Sequence, residues 1–292
     1  MFFSKMDNIK KNIHCVIELG KRLSPLRYPG GKSRAVSKIV GKYIIPNIPE
    51  SKKVCSPFFG GGSIEIYLAK QGFRVYGYDA FPPLVNFWQV LLKNPNKLAN
   101  ATKKELKVSK KNFDVIQDNF RNKHWKSKNK NAVIFYLLNR TSYSGTTLSG
   151  GMAIDHDKSN RWEKINPRFN KASVERLRNF SVKNLTVNKL DFRRSILKHK
   201  DSFVYADPPY FIGKKKLYGN QGDMQFEQKD HEDLAKILKK RKHWVLSYND
   251  TPEVRKLYRG FRIRKLSWSY GMSDVKSRKE KHSNEILILS KD

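Results

Sequence analysis

A carboxylate, two prolines and a phenol stand in a row at Asp207-Pro208-Pro209-Tyr210, directly after the apolar run Phe203-Val204-Tyr205-Ala206. An acid beside an aromatic ring suits chemistry on a flat amino group. Proline lacks the N–H that a central ladder needs and fixes φ, so the strand has to end at Asp207 and present the next residues, Phe211 included, at its carboxyl edge. Open α/β sheets bind their ligands at that edge. Taken alone, the same residues also fit an ordinary strand entering a proline turn that Asp207 starts.

A second segment favours the chemical reading. Val54-Cys55-Ser56-Pro57-Phe58-Phe59-Gly60-Gly61-Gly62-Ser63 reads as a short strand and a glycine turn, and Ile64, Ile66, Leu68 and Ala69 then follow helical spacing. Glycines allow a tight turn and a close approach to the backbone, while the helix start offers free N–H groups. Arg74-Val75-Tyr76-Gly77-Tyr78-Asp79 supplies the next strand, and it ends in an acid nineteen residues after Gly60. That spacing is where a nucleoside-binding α/β unit holds ribose hydroxyls, so an adenosine-containing cofactor is expected. The strict G-x-G-x-x-G form is missing, which disfavours a dinucleotide.

With these residues in view, the chain resembles the adenine-specific DNA methyltransferases of the Dam type, also called the D12 class or alpha group. Beyond Asp207 to Tyr210 and the Pro57 to Ser63 turn, Leu26-Arg27-Tyr28-Pro29-Gly30-Gly31-Lys32 looks like the family's opening motif. Phe135-Tyr136-Leu137-Leu138-Asn139-Arg140 looks like the segment entering its DNA-reading hairpin, and Leu246-Ser247-Tyr248-Asn249-Asp250 resembles its late strand and turn. The matches run in family order from residue 26 to 290, with 93 to 130 matching poorly.

The resemblance implies S-adenosylmethionine as cofactor and the exocyclic N6 amine of a flipped adenine as target. That amine is a poor nucleophile because its lone pair is delocalised into the ring. Asp207 would accept one of its N–H groups, the Pro208 carbonyl the other, and Tyr210 would stack on the base, with Pro209 completing the catalytic set. On the cofactor side, Asp79 would bind the ribose hydroxyls, Lys32 the methionine carboxylate, and Tyr28 would lie against the cofactor. Asp191 and Phe192 match an acid-aromatic pair near the adenine ring, and Phe58, Gly60, Gly62 and Asp207 complete that set. Plainer roles stand beside these: a strand-end cap for Asp79, a helix cap for Asp191, and a solvated face for Lys32. No metal is called for, and no His/Cys cluster has zinc spacing.

Two departures from the family pattern stand out. Ser56 opens the glycine turn where many members carry a glutamate, which leaves the methionine amino group without its usual acidic neighbour. The expected hairpin reads Tyr143-Ser144-Gly145-Thr146-Thr147-Leu148, whereas GATC-reading members carry an arginine three residues after the glycine. Arginine is the usual bidentate reader of guanine, and Leu148 cannot replace it. Arg140, Tyr143, Ser144 and Leu148 are the expected DNA contacts, with Tyr143 suited to stacking where a base is displaced.

Composition reaches DNA by a separate route. Sixty Lys and Arg against 26 Asp and Glu give a net charge of +34, spread along the chain. Such an excess attracts phosphate, although RNA or an anionic membrane would also fit it. Two cysteines, Cys15 and Cys55, make no disulfide framework. No apolar run approaches the ~20 residues needed to cross a bilayer. A soluble intracellular protein of the cytoplasm or nucleoid is expected, or of a host cell for a viral chain.

The α/β pattern fills 21–92 and 171–292, with strands expected near 184–188, 203–206, 243–247, 261–267 and 284–290. Between them, 93–170 carries charged helical stretches (Pro95 to Leu106, Asn112 to Asn119, Asn131 to Asn139) and then the Gly/Ser/Thr-rich patch Ser142 to Gly151. An insertion of this size is usually functional. The expected architecture is therefore α/β, a discontinuous Rossmann-like methyltransferase sheet with a mainly helical target-recognition domain inserted at 93–170 and an N-terminal arm at 1–20. The other functional classes that fit are an RNA adenine or protein glutamine methyltransferase of the same fold, and a non-catalytic DNA-binding relative. Asp207 argues against the glutamine enzymes, which tend to carry asparagine there. Double-stranded DNA is the expected partner, and a cognate restriction endonuclease stays open.

Overall fold

Period-two alternation along short apolar strands sorts the side chains into two layers. On the strand Phe203–Ala206, Phe203 and Tyr205 join one buried layer with Val54, Val75 and Val245, while Val204 and Ala206 join the other with Cys55, Trp244 and Leu246. A strand buried on both faces must be covered by helices on both, which is the environment of a parallel sheet. The computed structural model describes residues 23–33, 36–106, 108–122, 127–153, 168–210, 226–266 and 285–291. The N-terminal arm at 1–20, with Cys15, and Phe211 lie outside them.

Seven strands form one sheet: β1 (Lys53–Ser56), β2 (Arg74–Asp79), β3 (Leu185–Lys189), β4 (Phe203–Ala206), β5 (Trp244–Asn249), β6 (Arg262–Leu266) and β7 (Glu285–Leu289). Their order is β3-β2-β1-β4-β5-β7-β6. Pairing is parallel from β3 through β5, and β7 runs antiparallel between β5 and β6. The five expected strands of the second half all form, within one or two residues of their expected ends. Strand order reverses between β1 and β4, the place where doubly wound sheets open a crevice at their carboxyl edge.

The helices are α1 (Val36–Ile39), α2 (Ser63–Lys70), α3 (Pro82–Lys93), α4 (Pro95–Lys103), α5 (Lys110–Asn122), α6 (Lys128–Thr141), α7 (Lys171–Arg178), α8 (Phe192–Lys198), α9 (Gln228–Lys239) and α10 (Pro252–Leu257). Local signals set their starts. Pro82 and Pro95 sit in the first helical turn, where the missing N–H costs nothing, and Asn94 accepts from Lys97 N at 2.9 Å. Helix α6 is buried at every position from Ala132 to Thr141, so it is an interior helix rather than a surface one. Its Tyr136 ring stacks on Phe87 of α3 at 5.6 Å.

Helices α4 to α6 thus do more than decorate an edge. Phe113, Phe120, Phe135 and Leu148 belong to the same apolar layer as Val54 and Val75 of the sheet. The boundary expected at residue 93 falls between α3 and α4, and the apolar layer runs across it. Among the described residues, no helix is long and apolar enough to cross a membrane.

Candidate active site

A cavity of about 250 Å³ opens at the carboxyl ends of β1 and β4. Its wall draws on Tyr28 to Lys32, the turn Pro57 to Ser63, the end of β2 at Asp79, the start of α8, and Asp207 to Tyr210 after β4. Segments far apart in sequence therefore converge at the reversal of strand order.

The glycine turn is shaped by backbone that other residues rarely adopt. Gly60 and Gly62 have φ of +48° and +67°. A Cβ on Gly60 would lie 2.8 Å from the Tyr28 ring, and one on Gly62 2.7 Å from the Phe59 ring. Phe59 N donates to Tyr78 O at 2.8 Å, and Trp88 Nε1 to Gly60 O at 3.1 Å, so the turn is fastened to both β2 and α3. Asp79 fastens it as well, accepting from Gly60 N at 3.0 Å and from Phe81 N at 2.9 Å. Burial pushes its carboxyl above the usual range, against the pull of those N–H groups. The capping role and the place in the cavity wall belong to the same carboxylate.

Lys32 is the centre of the polar cluster. It is 4% exposed, and its ammonium lies 2.9 and 3.0 Å from the two Asp207 oxygens, 2.7 Å from the Tyr210 hydroxyl, 3.1 Å from Gly30 O and 3.6 Å from Glu285 Oε2. The Tyr210 hydroxyl in turn donates to Glu285 Oε1. Burial works against the lysine's charge, but Asp207 and Glu285 outweigh it and hold the pKa above the ordinary value. For Asp207 the balance is reversed: burial pushes it up, and Lys32 pulls it back. Lys32 is no solvated lysine, and its first partner in this arrangement is the carboxylate at the end of β4.

Phe58 and Phe192 stack at 5.4 Å between centroids, and Phe226 closes on both, at 5.5 and 5.3 Å. Phe226 stands edge-on to Phe58, so the three rings make an apolar corner in the wall rather than a plane. Asp191 beside them caps α8, accepting from Arg193 N at 2.9 Å, and also borders the cavity. The cap that the sequence offered as an alternative is present.

The hairpin carries the remaining expected residues. Ser142 and Met152 form an antiparallel bridge around the turn, and Tyr143, whose N–H donates to Gly151 O at 2.9 Å beside that bridge, is 63% exposed. Ser144 adopts a left-handed φ of 55°. Leu148, however, is 2% exposed and packs in the core, with its carbonyl accepting from Arg121 Nε at 3.1 Å. Arg140 is 5% exposed and donates through Nε to Arg168 O at 2.9 Å. Both side chains are buried, Leu148 in the apolar layer and Arg140 near the end of α6. Asn139, which the sequence marked only as part of a motif, binds Arg27 N at 2.9 Å and Arg27 O at 2.7 Å and donates to Gly145 O at 3.1 Å. It ties the hairpin to the loop that carries Lys32.

Sequence reasoning missed Phe226, Glu65 and Glu285. The two acids had a signal: each is a lone carboxylate in an otherwise apolar run, Ser63-Ile64-Glu65-Ile66 and Glu285-Ile286-Leu287. Burial pushes the Glu65 carboxyl from its ordinary 4.5 up to about 8, against a 2.7 Å hydrogen bond from Ser56 Oγ. The folded chain holds that proton more tightly than the unfolded one. Stability from this group is therefore complete below the unfolded pKa and is lost as pH rises through about 8. Glu65→Gln keeps the acceptor and removes the titration, so denaturation of wild type should lose about 1.4 kcal/mol per pH unit relative to the variant across that window. Parallel pH profiles would refute the assignment.

No curated protein matches the chain. Residues 28–272 match the family model described as D12 class N6 adenine-specific DNA methyltransferase. The matched span takes in the Tyr28 to Lys32 loop, the glycine turn, the carboxylate at the end of β4 and the hairpin, and on it the chain belongs to the D12 class of N6 adenine-specific DNA methyltransferases.

Proposed function

We propose that the cavity at the β1–β4 crevice is where this adenine-specific DNA methyltransferase holds both S-adenosylmethionine and the amine to be methylated. The observation that carries the assignment is the Asp207 carboxylate, set in the cavity wall at the carboxyl edge of β4 and paired with Lys32 at 2.9 Å. The wall suits an adenosine bearing an amino-acid tail: a glycine floor, an aromatic cluster of Phe58, Phe192 and Phe226, and Asp79 at the end of β2. S-adenosylmethionine supplies an electrophilic methyl on sulfur.

Everything else comes from the chain. Asp207 accepts an N–H of the target amine and turns its lone pair out of conjugation, and the Pro208 carbonyl is placed to accept the second N–H. Such acceptors are worth most where they are fixed and water is scarce. The Tyr210 hydroxyl, held between Lys32 and Glu285, fixes its ring for stacking on the extruded base. Asp79 would serve the ribose with the acceptor capacity its two backbone donors leave over.

Asp79→Asn tests the cavity assignment, because it keeps one acceptor for the backbone while removing the charge. Cofactor affinity should fall about 10- to 150-fold, the range for a hydrogen bond to a charged acceptor, with DNA affinity little changed. Unchanged cofactor binding by calorimetry would leave Asp79 a cap alone.

Tyr143 is proposed to fill or widen the gap left by the flipped base, since it stands exposed on the hairpin. Tyr143→Ala should keep stability within about 0.5 kcal/mol, as surface changes do, and slow methylation of duplex more than of single strands. An equal effect on both substrates would place duplex opening elsewhere. Leu148→Arg, by contrast, would bury a cation in the α6 layer and is expected to unfold the hairpin rather than redirect it.

A further inference from the structure

In a chain of charge +34, the wall of the β1–β4 cavity carries five carboxylates, Glu65, Asp79, Asp191, Asp207 and Asp230, against one lysine among the described residues. The local field is thus opposite to the global one. Four of the five have their charge answered. Asp207 pairs with Lys32 at 2.9 Å, Asp191 and Asp230 with Arg193 at 3.3 and 2.5 Å, and Asp79 accepts two backbone N–H groups. Glu65 differs. It is 3% exposed, it borders the cavity from the first turn of α2, and Ser56 Oγ is the only side chain among the described residues that donates to it. A buried carboxylate with spare acceptor capacity, bordering a ligand cavity and with no ion-pair partner among the described residues, is built for a cationic ligand group.

Resting on the cofactor reading above, we propose that Glu65 is the acceptor for the α-ammonium group of S-adenosylmethionine, with Ser56 orienting the carboxylate. An ammonium donates N–H groups that a carboxylate oxygen can accept, whereas a sulfonium has none to donate. The same bond accounts for Ser56. The position at the end of β1 needs no acid of its own when its hydroxyl holds one that reaches in from α2, nine residues later.

A consequence is a proton balance. The groups that act on Glu65 are Ser56, Lys32, Asp207 and Tyr205, and burial dominates, pushing its carboxyl up to about 8 and so holding a proton at neutral pH. An arriving ammonium would ionise it, so cofactor binding should release close to one proton near pH 7.

Three probes separate the possibilities: S-adenosylmethionine, S-adenosylhomocysteine, which keeps the ammonium and lacks the sulfonium, and 5′-methylthioadenosine, which lacks both. Glu65→Gln should weaken the first two about 10- to 150-fold, leave the third within about 2-fold, and abolish the proton release seen across buffers of different ionisation enthalpy. Equal weakening of all three would make Glu65 a structural acid and overturn the proposal. So would loss confined to S-adenosylmethionine, which would move the contact to the sulfonium, or no loss at all. If wild type binds none of the three, the cofactor reading itself falls, an outcome distinct from a wild type that binds and a variant that binds as well.

Discussion

Replacing Asp207 with Ala should lower methyl transfer by about 100-fold or more, the usual effect of removing one preorganised acceptor from a closed site. The fold should survive. Asp207 follows the last residue of β4 and contributes no ladder hydrogen bond there, and the lysine it leaves behind still has the Tyr210 hydroxyl at 2.7 Å and Glu285 at 3.6 Å. Asp207→Asn is the finer probe, because it keeps one acceptor oxygen and removes the charge that Lys32 maintains. If the carboxylate works by holding the amine's N–H, Asn should retain part of the rate that Ala loses, with DNA affinity similar in both. Single-turnover measurement at saturating cofactor separates chemistry from binding. An Ala variant within a few-fold of wild type would mean that the target amine is oriented by other groups, and the role of the β4 edge would have to be reassigned.

What made this site legible was local backbone chemistry. Pro208 and Pro209 had to end β4, and they did so beside the acid, at Ala206. Gly60 and Gly62 implied a turn that only glycine tolerates comfortably, and both have positive φ. The helix and strand positions were also readable, because caps and period-two alternation are written in neighbouring residues. Contacts that depend on packing between distant segments were not. Leu148 and Arg140 were expected to contact DNA, and nothing in their neighbourhood shows that α6 is buried from Ala132 to Thr141 and that Leu148 packs into the same layer. Likewise, Lys32 is one of many lysines in a basic chain, and its distinction is that the sheet brings Asp207 and Glu285 to it from 175 and more positions away. Glu65 and Ser56 were each visible, but their bond crosses the glycine turn from α2 to β1, and only the folded turn brings them together.

Lys32→Met should be the most destabilising single change in the site. The lysine answers two acids at once, and removing it strands Asp207 and Glu285 in the interior with burial already pushing both carboxyls up. Breaking a buried pair by deleting one partner costs about 3–5 kcal/mol, which at roughly 2–4 °C per kcal/mol for a chain of this size is a fall in Tm of about 6–20 °C. The pH dependence carries the sign. A carboxyl whose folded pKa is raised contributes stability that is complete below its unfolded value and is lost as pH rises, so without Lys32 the two acids protonate in the folded state and the deficit should shrink at about pH 5 and widen at about pH 8. A second change supplies the control: Glu285→Gln removes one of the stranded charges while keeping an acceptor for the Tyr210 hydroxyl, and in the Lys32→Met background it should restore part of the loss at the higher pH. A deficit below about 1 kcal/mol that is flat with pH would place Lys32 among the ordinary surface pairs. Its near-complete burial between β4, β7 and the opening loop argues for the larger effect.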